Sequence, residues 1–374
     1  MTSLVVALVG GPMYDGLYAG LEALGASVGI DDIEIVVHAD HPTLNTEVAR
    51  RLGAGERIDV ISTHGKYAPS QAAWLRPLDD VIDPAVVDAQ SEGAVALCRG
   101  MAGELLCVPR NVDVRVMWRR VDLVPEAPDT WDDVLAMGRA GRRMAVPGRE
   151  SGLFGTFFEL VVGTGARLLD DAGRLVIDAG AATTALHTLS ALTAGMDGIE
   201  GWHYDDVDAA LGDGRAALGA AWPGATAGLR ASVHGDVLRP SAYPAGPTRR
   251  VTYAGCHAWA IPRAAAEPAA AAALIGALCG AASARREAAS GAVTAHEAVA
   301  AEAKGTDAID QARIDLVRAA IAEQMITYPP HPRFAGFEDG GWRLVASTIF
   351  EHAPLEGFVE RLGALAQATL EATP

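Results

Sequence analysis

Lysine is nearly absent: Lys66 and Lys304 are the only two in 374 residues. With 30 basic against 47 acidic residues and a net charge of -17, the chain has no cationic excess with which to displace counterions from a phosphate backbone. That balance argues against a nucleic-acid partner. The preference for arginine over lysine, together with abundant alanine, is read as the imprint of a GC-rich genome rather than of mechanism. Aromatic residues are also few, at 6%. No apolar run reaches the roughly 20 residues that a membrane-spanning helix needs, and no charge-rich tract points to long disorder. The opening residues, MTSLVVALVGGPMYDG, show no basic region ahead of an apolar stretch and no cleavage site. Leu4 to Val9 is therefore read as a first buried strand, and the chain as either cytosolic or exported and relieved of a leader.

Signatures of chemistry are missing as well. Gly10, Gly11 and Gly16 do not make G-x-G-x-x-G, and Gly11 to Leu17 lacks the lysine and hydroxyl of a phosphate loop. No serine sits in G-x-S-x-G, and no triad is recognisable. Paired carboxylates for glycoside hydrolysis are set by spacing in three dimensions and are left open. His38 and His41 with Asp40 have the residue types of a metal cluster, but His41 precedes Pro42 in an apparent turn, so a solvated loop is the preferred reading. Asp205, Asp206 and Asp208 lack the spacing of a calcium loop and are read as charges at a helix start. No metal and no cofactor is assigned.

What is present is a chain that is half hydrophobic and too long for one core, which points to two domains. Leu4 to Val9, Ile33 to His38 and Ile58 to Ser62 have the character of strands, and helices are expected over Met13 to Leu24 and Thr43 to Leu52. This β-α-β-α-β rhythm implies a largely parallel sheet with its ligand loops after the carboxyl ends of the strands, at Gly10 to Tyr14 and Thr63 to Tyr67. From Cys107 to Asp122 apolar Val112, Val114 and Val116 alternate with polar Asp113 and Arg115, the period of a half-buried strand, and Trp118 follows in phase. This stretch is read as a crossover between two lobes. A hairpin over Val95 to Leu106, turning at Ala102 and Gly103, would set Cys98 opposite Cys107, within bonding reach in an oxidising compartment, with free, half-buried cysteines as the alternative. Thr130 and Asp133 have the spacing of a capping box. One long helix is expected from Glu267 to Ser290.

Several passages, in order, carry a resemblance. Asp59-Val60 leads through a polar loop to Leu75-Arg-Pro-Leu-Asp79, then to Gly103 and Pro109; Arg120-Val-Asp-Leu123 precedes Pro128-Asp-Thr-Trp-Asp-Asp-Val-Leu135; Ala216 to Gly224 and Gly255 to Pro262 follow; Trp342 to Leu370 closes the chain. The sequence resembles the extracellular solute-binding proteins of ABC transporters, in the family that contains maltose-binding protein. The resemblance implies an α/β, two-lobed periplasmic-binding-protein-like fold of type II, each lobe a mostly parallel mixed sheet flanked by helices. Residues 1–110 plus 257–305 would form one lobe and 111–256 plus 306–374 the other, with the ligand in a cleft between them closed by hinge motion.

Tyr14, His64, Lys66 and Tyr67 are candidate ligand contacts from the first lobe, set against the alternative of solvated loop residues. The resemblance aligns Asp113 with a hinge carboxylate that binds sugar hydroxyls, where a salt bridge to Arg110 or Arg115 is the alternative; Asn111 is a second choice. Arg149 and Ser151 follow the short strand Met144 to Val146, and Trp222, before Pro223 and Gly224, resembles a stacking aromatic. Trp342 is either a contact or core, Trp259 is assigned to core, and His257 stays undecided. The implied partners are a small sugar or sugar acid and the permease subunits of an ABC importer, with the protein itself monomeric and extracytoplasmic. The scarcity of aromatics favours a mono- or disaccharide, while Lys66, His64, Arg110, Arg115 and Arg149 offer an alternative reception for a carboxylate. A cytosolic two-domain α/β enzyme acting on a small polar substrate is the competing reading.

Overall fold

The computed structural model describes residues 1–371, with only the backbone of Pro12 and Met13. The chain divides into two compact units: unit 1 is Met1–Asp113, Gly255–Ala303 and Pro330–Pro332, and unit 2 is Val114–Ala254, Lys304–Pro329 and Arg333–Pro374.

Unit 1 is built on a five-stranded sheet in the order Asp32–Ala39, Ser3–Val9, Val60–His64, His257–Ala260, Val108–Pro109. The first three strands run parallel, and His257–Ala260 runs antiparallel to both of its neighbours. Ser3–Val9 is buried over Leu4 to Val9, as expected of a strand covered by helices on both faces. The expected helix over Met13 to Leu24 is two helices, Pro12–Tyr18 and Leu21–Ser27, separated at Ala19 and Gly20. Similarly, Glu267 to Ser290 is broken at Cys279 and Gly280 into Pro268–Leu278 and Ala281–Ala289. In both cases a glycine of poor helix propensity starts the second piece, where a continuous apolar pattern had suggested one helix. The expected hairpin is reduced to a single bridge between Arg99 and Leu105 behind the short helix Glu92–Ala96. All four cysteines are free and buried. Cys98 Sγ lies 3.3 Å from Cys256 Sγ and also meets the Cys107 thiol; the three are unbonded, the free-cysteine alternative to the expected Cys98–Cys107 bond.

Unit 2 carries a four-stranded sheet ordered Met144–Ala145, Leu218–Ala221, Val116–Arg120, Leu238–Ser241. Its core is organised by the helix Glu150–Gly163, buried continuously from Gly152 to Gly163. Phe154 and Phe157 of that helix pack with Phe334, Phe337 and Phe358. The helix Trp131–Arg139 starts with the capping box read from the sequence: Asp133 N–H donates to Thr130 Oγ1 at 3.2 Å, and Thr130 N–H to Asp133 Oδ2 at 2.9 Å. The closing stretch is two helices, Phe334–Ile349 and Phe358–Thr369. Among the described residues no single helix is long and apolar enough to cross a membrane.

The crossover stretch is three short strands, Val108–Pro109, Asp113–Val114 and Val116–Arg120, rather than one. Val112, Val114, Val116 and Trp118 are buried, as the alternation requires, but so is Arg115, at 1% exposure. Its expected solvent face is a second interior.

Candidate functional site

In unit 1 the strand register brings two histidines together. His64 ends the strand Val60–His64, His257 begins the antiparallel strand His257–Ala260, and the two are direct cross-strand partners with ring centroids 5.0 Å apart. Directly opposed residues on one sheet face are the closest non-local neighbours that a sheet offers. Space for the His64 ring comes from Gly255: a Cβ there would lie 2.3 Å from His64 Cε1. Asp113 closes the group, with Oδ2 3.2 Å from His257 Nε2 and 3.9 Å from His64 Nε2. Asn111, fully buried, accepts the His257 backbone N–H on Oδ1 at 3.0 Å and so holds the strand that carries His257.

Two further side chains join from helix starts. His41 stands in the first turn of the helix His41–Gly53, which Asp40 caps by accepting the Thr43 N–H. Its Nε2 is 2.8 Å from His257 Nδ1, and the two rings stack. The hydroxyl of Tyr14, on the helix Pro12–Tyr18, is 2.5 Å from His257 Nε2. Burial sets the protonation of this group. It pushes the Asp113 carboxyl up to about 6, against the opposing pull of His64, His41 and Arg110. Burial also brings His257 and His41 each down to about 3, and holds His64 well below the usual imidazole range. At neutral pH the cluster is therefore one carboxylate among neutral imidazoles.

The two arginines that flank Asp113 in sequence are both occupied. Arg110 is paired in unit 1 with Glu287, its Nε 2.8 Å from Glu287 Oε1, and it also donates to the Tyr18 hydroxyl at 2.8 Å. Arg115 is paired in unit 2 with Glu159, whose carboxylate also accepts from the Tyr243 hydroxyl at 2.7 Å. Both arginines are buried. Neither forms the salt bridge to Asp113 weighed in the sequence, and neither presents a bare charge to a carboxylate ligand.

In unit 2 the half-buried Trp222 follows the strand Leu218–Ala221. Tyr204 meets its ring edge-on at 5.5 Å, and the Arg115 guanidinium lies 5.4 Å from the ring centroid. Arg149 precedes the helix Glu150–Gly163; its Nε donates to Gly201 O at 2.8 Å and its guanidinium pairs with Glu150. Glu150 has φ of 53°, a left-handed conformation that a non-glycine residue holds at a cost. Ser151 follows in the first turn, its carbonyl 3.5 Å from the Tyr204 hydroxyl.

The remaining expected contacts are placed differently. Lys66 lies over the Tyr67 ring, 5.6 Å from its centroid. Gly224 lines a pocket of about 500 Å³ with Asp205, Asp208 and Leu229. Burial and the neighbouring Asp205 push Asp208 up to about 7. Trp342 is half-buried against the unit 2 core; its indole N–H donates to Asp339 at 3.1 Å and the Arg343 guanidinium covers its ring. Trp259 is core, with no exposure. His38 bonds Asp15 at 3.0 Å and takes no part with His41. Sequence reasoning set His41 in a solvated loop, whereas its ring is largely buried against His257, and it missed Tyr204, Glu159 and Glu287. Glu159 left a signal, as the one carboxylate inside the apolar run from Gly152 to Gly163; the partners of the others are set by register and packing.

Comparison with known proteins gives a consistent result. The sequence profile of a family described as bacterial extracellular solute-binding protein matches residues 22–312. A maltose-bound protein of T. maritima is similar in structure, with a TM-score of 0.82 at 21% identity over 97% of this chain and 98% of that one. The GacH receptor of Streptomyces glaucescens, described unliganded and with acarbose, gives 0.81 at 14% identity, covering 100% of both chains. A ribitol-bound ABC transporter solute-binding protein of Agrobacterium radiobacter gives 0.79 at 15%, covering 98% of both. At such identities the likeness establishes the fold, that of two-lobed periplasmic binding proteins.

Proposed function

Because this chain belongs to the bacterial extracellular solute-binding protein family, we propose that it binds a mono- or disaccharide, or an acidic sugar derivative, and delivers it to the permease subunits of an ABC importer. The observation that carries the reading is Asp113, a carboxylate with 13% side-chain exposure set among neutral imidazoles. Such an acceptor, short of cationic partners, suits sugar hydroxyls, which donate to it in charge-assisted hydrogen bonds. Maltose, acarbose and ribitol in the structurally similar proteins support the same class. Among the two alternatives the neutral sugar is favoured. Arg110, Arg115 and Arg149 are engaged by Glu287, Glu159 and Glu150, and burial keeps His64 uncharged.

The proposed contacts are Tyr14, His64, Lys66, Asn111 and Asp113 in unit 1, and Arg149, Ser151, Gly224, Trp342 and above all Trp222 in unit 2. The Trp222 ring, backed by the Arg115 guanidinium and Tyr204, is a rigid, partly exposed platform for an apolar sugar face. Binding and release call for no covalent step, so the protein is read as a non-enzymatic monomer acting in the periplasm or outside the cell, in association with its membrane transporter. A thermal-shift screen against neutral and acidic sugars tests this. A true ligand at 100-fold over its Kd stabilises by about 2.7 kcal/mol. A shift with neutral sugars is expected. Hydrolytic turnover without any stabilising sugar would overturn the reading in favour of the two-domain enzyme.

A further inference from the structure

We propose that His64, Asp113 and His257 form a site for one divalent transition-metal ion of the zinc class, oriented by His41. One donor atom from each of the three ligands lies within 4.8 Å of the others. A tetrahedral zinc ion with bonds of about 2.0–2.2 Å keeps its donor atoms roughly 3.3–3.5 Å apart. The Asp113 Oδ2 to His257 Nε2 separation of 3.2 Å already matches that spacing, while Asp113 Oδ2 to His64 Nε2 at 3.9 Å and the His64–His257 pair, within 4.8 Å, require the His64 ring to move inward on binding.

The surroundings are those of a supported site. The cross-strand register fixes the two histidines opposite each other, Asn111 holds the backbone of His257, and Gly255 leaves room for the His64 ring. His41 supplies what a metal-bound imidazole requires on its far side. With His257 Nδ1–H donating to His41 Nε2 over 2.8 Å, the Nε2 lone pair of His257 is turned towards Asp113. The ion takes the position that the Tyr14 hydroxyl now holds at that nitrogen. At His64, Nδ1 accepts the Lys66 backbone N–H at 3.1 Å. Metal capture at His64 Nε2 therefore moves the ring proton to Nδ1 and ends that contact. Two imidazoles and a carboxylate select a zinc-like or related first-row ion over calcium or magnesium, which prefer all-oxygen sets. Three protein ligands leave a position open for water or a solute oxygen. The site does not depend on the sugar reading, and its test uses metal alone.

The test is isothermal titration of chelator-stripped full-length protein with zinc chloride, without sugar, alongside cobalt(II) absorption spectra. One saturating equivalent is expected, with a visible cobalt band of the intensity of a four- or five-coordinate nitrogen-ligated ion. His41→Ala should weaken zinc binding by about 10- to 100-fold, and His64→Gln and His257→Gln by more. His187→Ala, on an exposed face of the helix Ala179–Thr193, should leave it unchanged. Absence of one-equivalent binding, or binding retained in both glutamine variants, overturns the proposal. If the variants fail to fold, the wild-type cobalt spectrum decides: a weak six-coordinate aqua-like spectrum overturns the site.

Discussion

Glu159 offers the sharpest test of how unit 2 is held together. It is 1% exposed in the middle of an apolar helix, and three donors converge on it: the Arg115 guanidinium, the Tyr243 hydroxyl at 2.7 Å and the Tyr253 backbone N–H at 2.5 Å. Glu159→Gln preserves the shape and one acceptor oxygen but removes the negative charge, so Arg115 is left buried and uncompensated. Breaking a buried pair in this way costs about 3–5 kcal/mol. Glu159→Leu also strips both neutral donors of their acceptor, about 1–3 kcal/mol each, which brings the loss to the scale of a whole domain's stability of about 5–15 kcal/mol. The leucine variant should not fold. In contrast, Arg115→Met with Glu159→Gln removes both charges and should recover much of the loss. The assay is urea unfolding of Glu159→Gln, of Arg115→Met and of the double variant, followed by tryptophan fluorescence. A glutamine variant within about 1 kcal/mol of wild type, or strictly additive single and double effects, would refute the argument.

Asp113→Asn should make the protein more stable and a poorer binder. Raising its carboxyl from the ordinary 3.8 to about 6 means that the ionised form costs about 3 kcal/mol at pH 7.5, so the variant's melting temperature should rise while solute affinity falls; a fall in melting temperature would mark Asp113 as structural. Acid should weaken unit 1. His41 and His257, brought down to about 3, contribute stability that is complete above pH 6.5 and lost as pH falls towards 3, while Asp113 works in the opposite direction below pH 6. Tyr14, Tyr67, Arg110, Asp40, Lys66 and the neutral His64 also face this group. The balance of His41, His257 and Asp113 is a loss of about 1.4 kcal/mol per pH unit, to which His64 adds in the same direction; a flat thermal-unfolding midpoint between pH 6 and 4.5 would contradict it. The four buried thiols, with Cys98 pushed up chiefly by burial, should resist a thiol reagent in the native protein and react with four equivalents in denaturant. Two equivalents would show Cys98 oxidised with either Cys256 or Cys107.

The fold was legible wherever the information is local. The βαβαβ rhythm, the strand Leu4 to Val9 and the Thr130 capping box each depend on residues a few positions apart. Helix ends were less so, because Gly20 and Gly280 interrupt apolar patterns that continue on either side. The site was legible by position but not by partner. Tyr14 and His64 were picked out by their loops after strand ends, and Asp113 by the family resemblance. That His64 opposes His257 is set by a register joining positions 193 residues apart, and that Arg115 turns inward is set by a carboxylate 44 residues away. Strand alternation assigns a polar residue to solvent by default, and only tertiary packing supplies the buried carboxylate that overrides it.

The segment from Arg110 to Arg115 holds two cations and one anion within six residues, and pairing among them would have been the simplest outcome. Instead each arginine finds a buried glutamate elsewhere in its own unit, and these pairs balance their charges in place. Asp113 keeps a charge that no buried arginine neutralises, with imidazoles that burial holds neutral as its close neighbours. An isolated, mostly buried carboxylate is costly to maintain. That cost is offset only when something donates to it or coordinates it, and the two candidates are the hydroxyls of a solute and a metal ion held with His64 and His257. They separate cleanly. Asp113→Asn retains a neutral acceptor and should bind a sugar weakly, whereas loss of the anionic ligand should reduce metal affinity far more. If sugar and zinc affinities fell by the same factor, the ion would itself be part of the solute site.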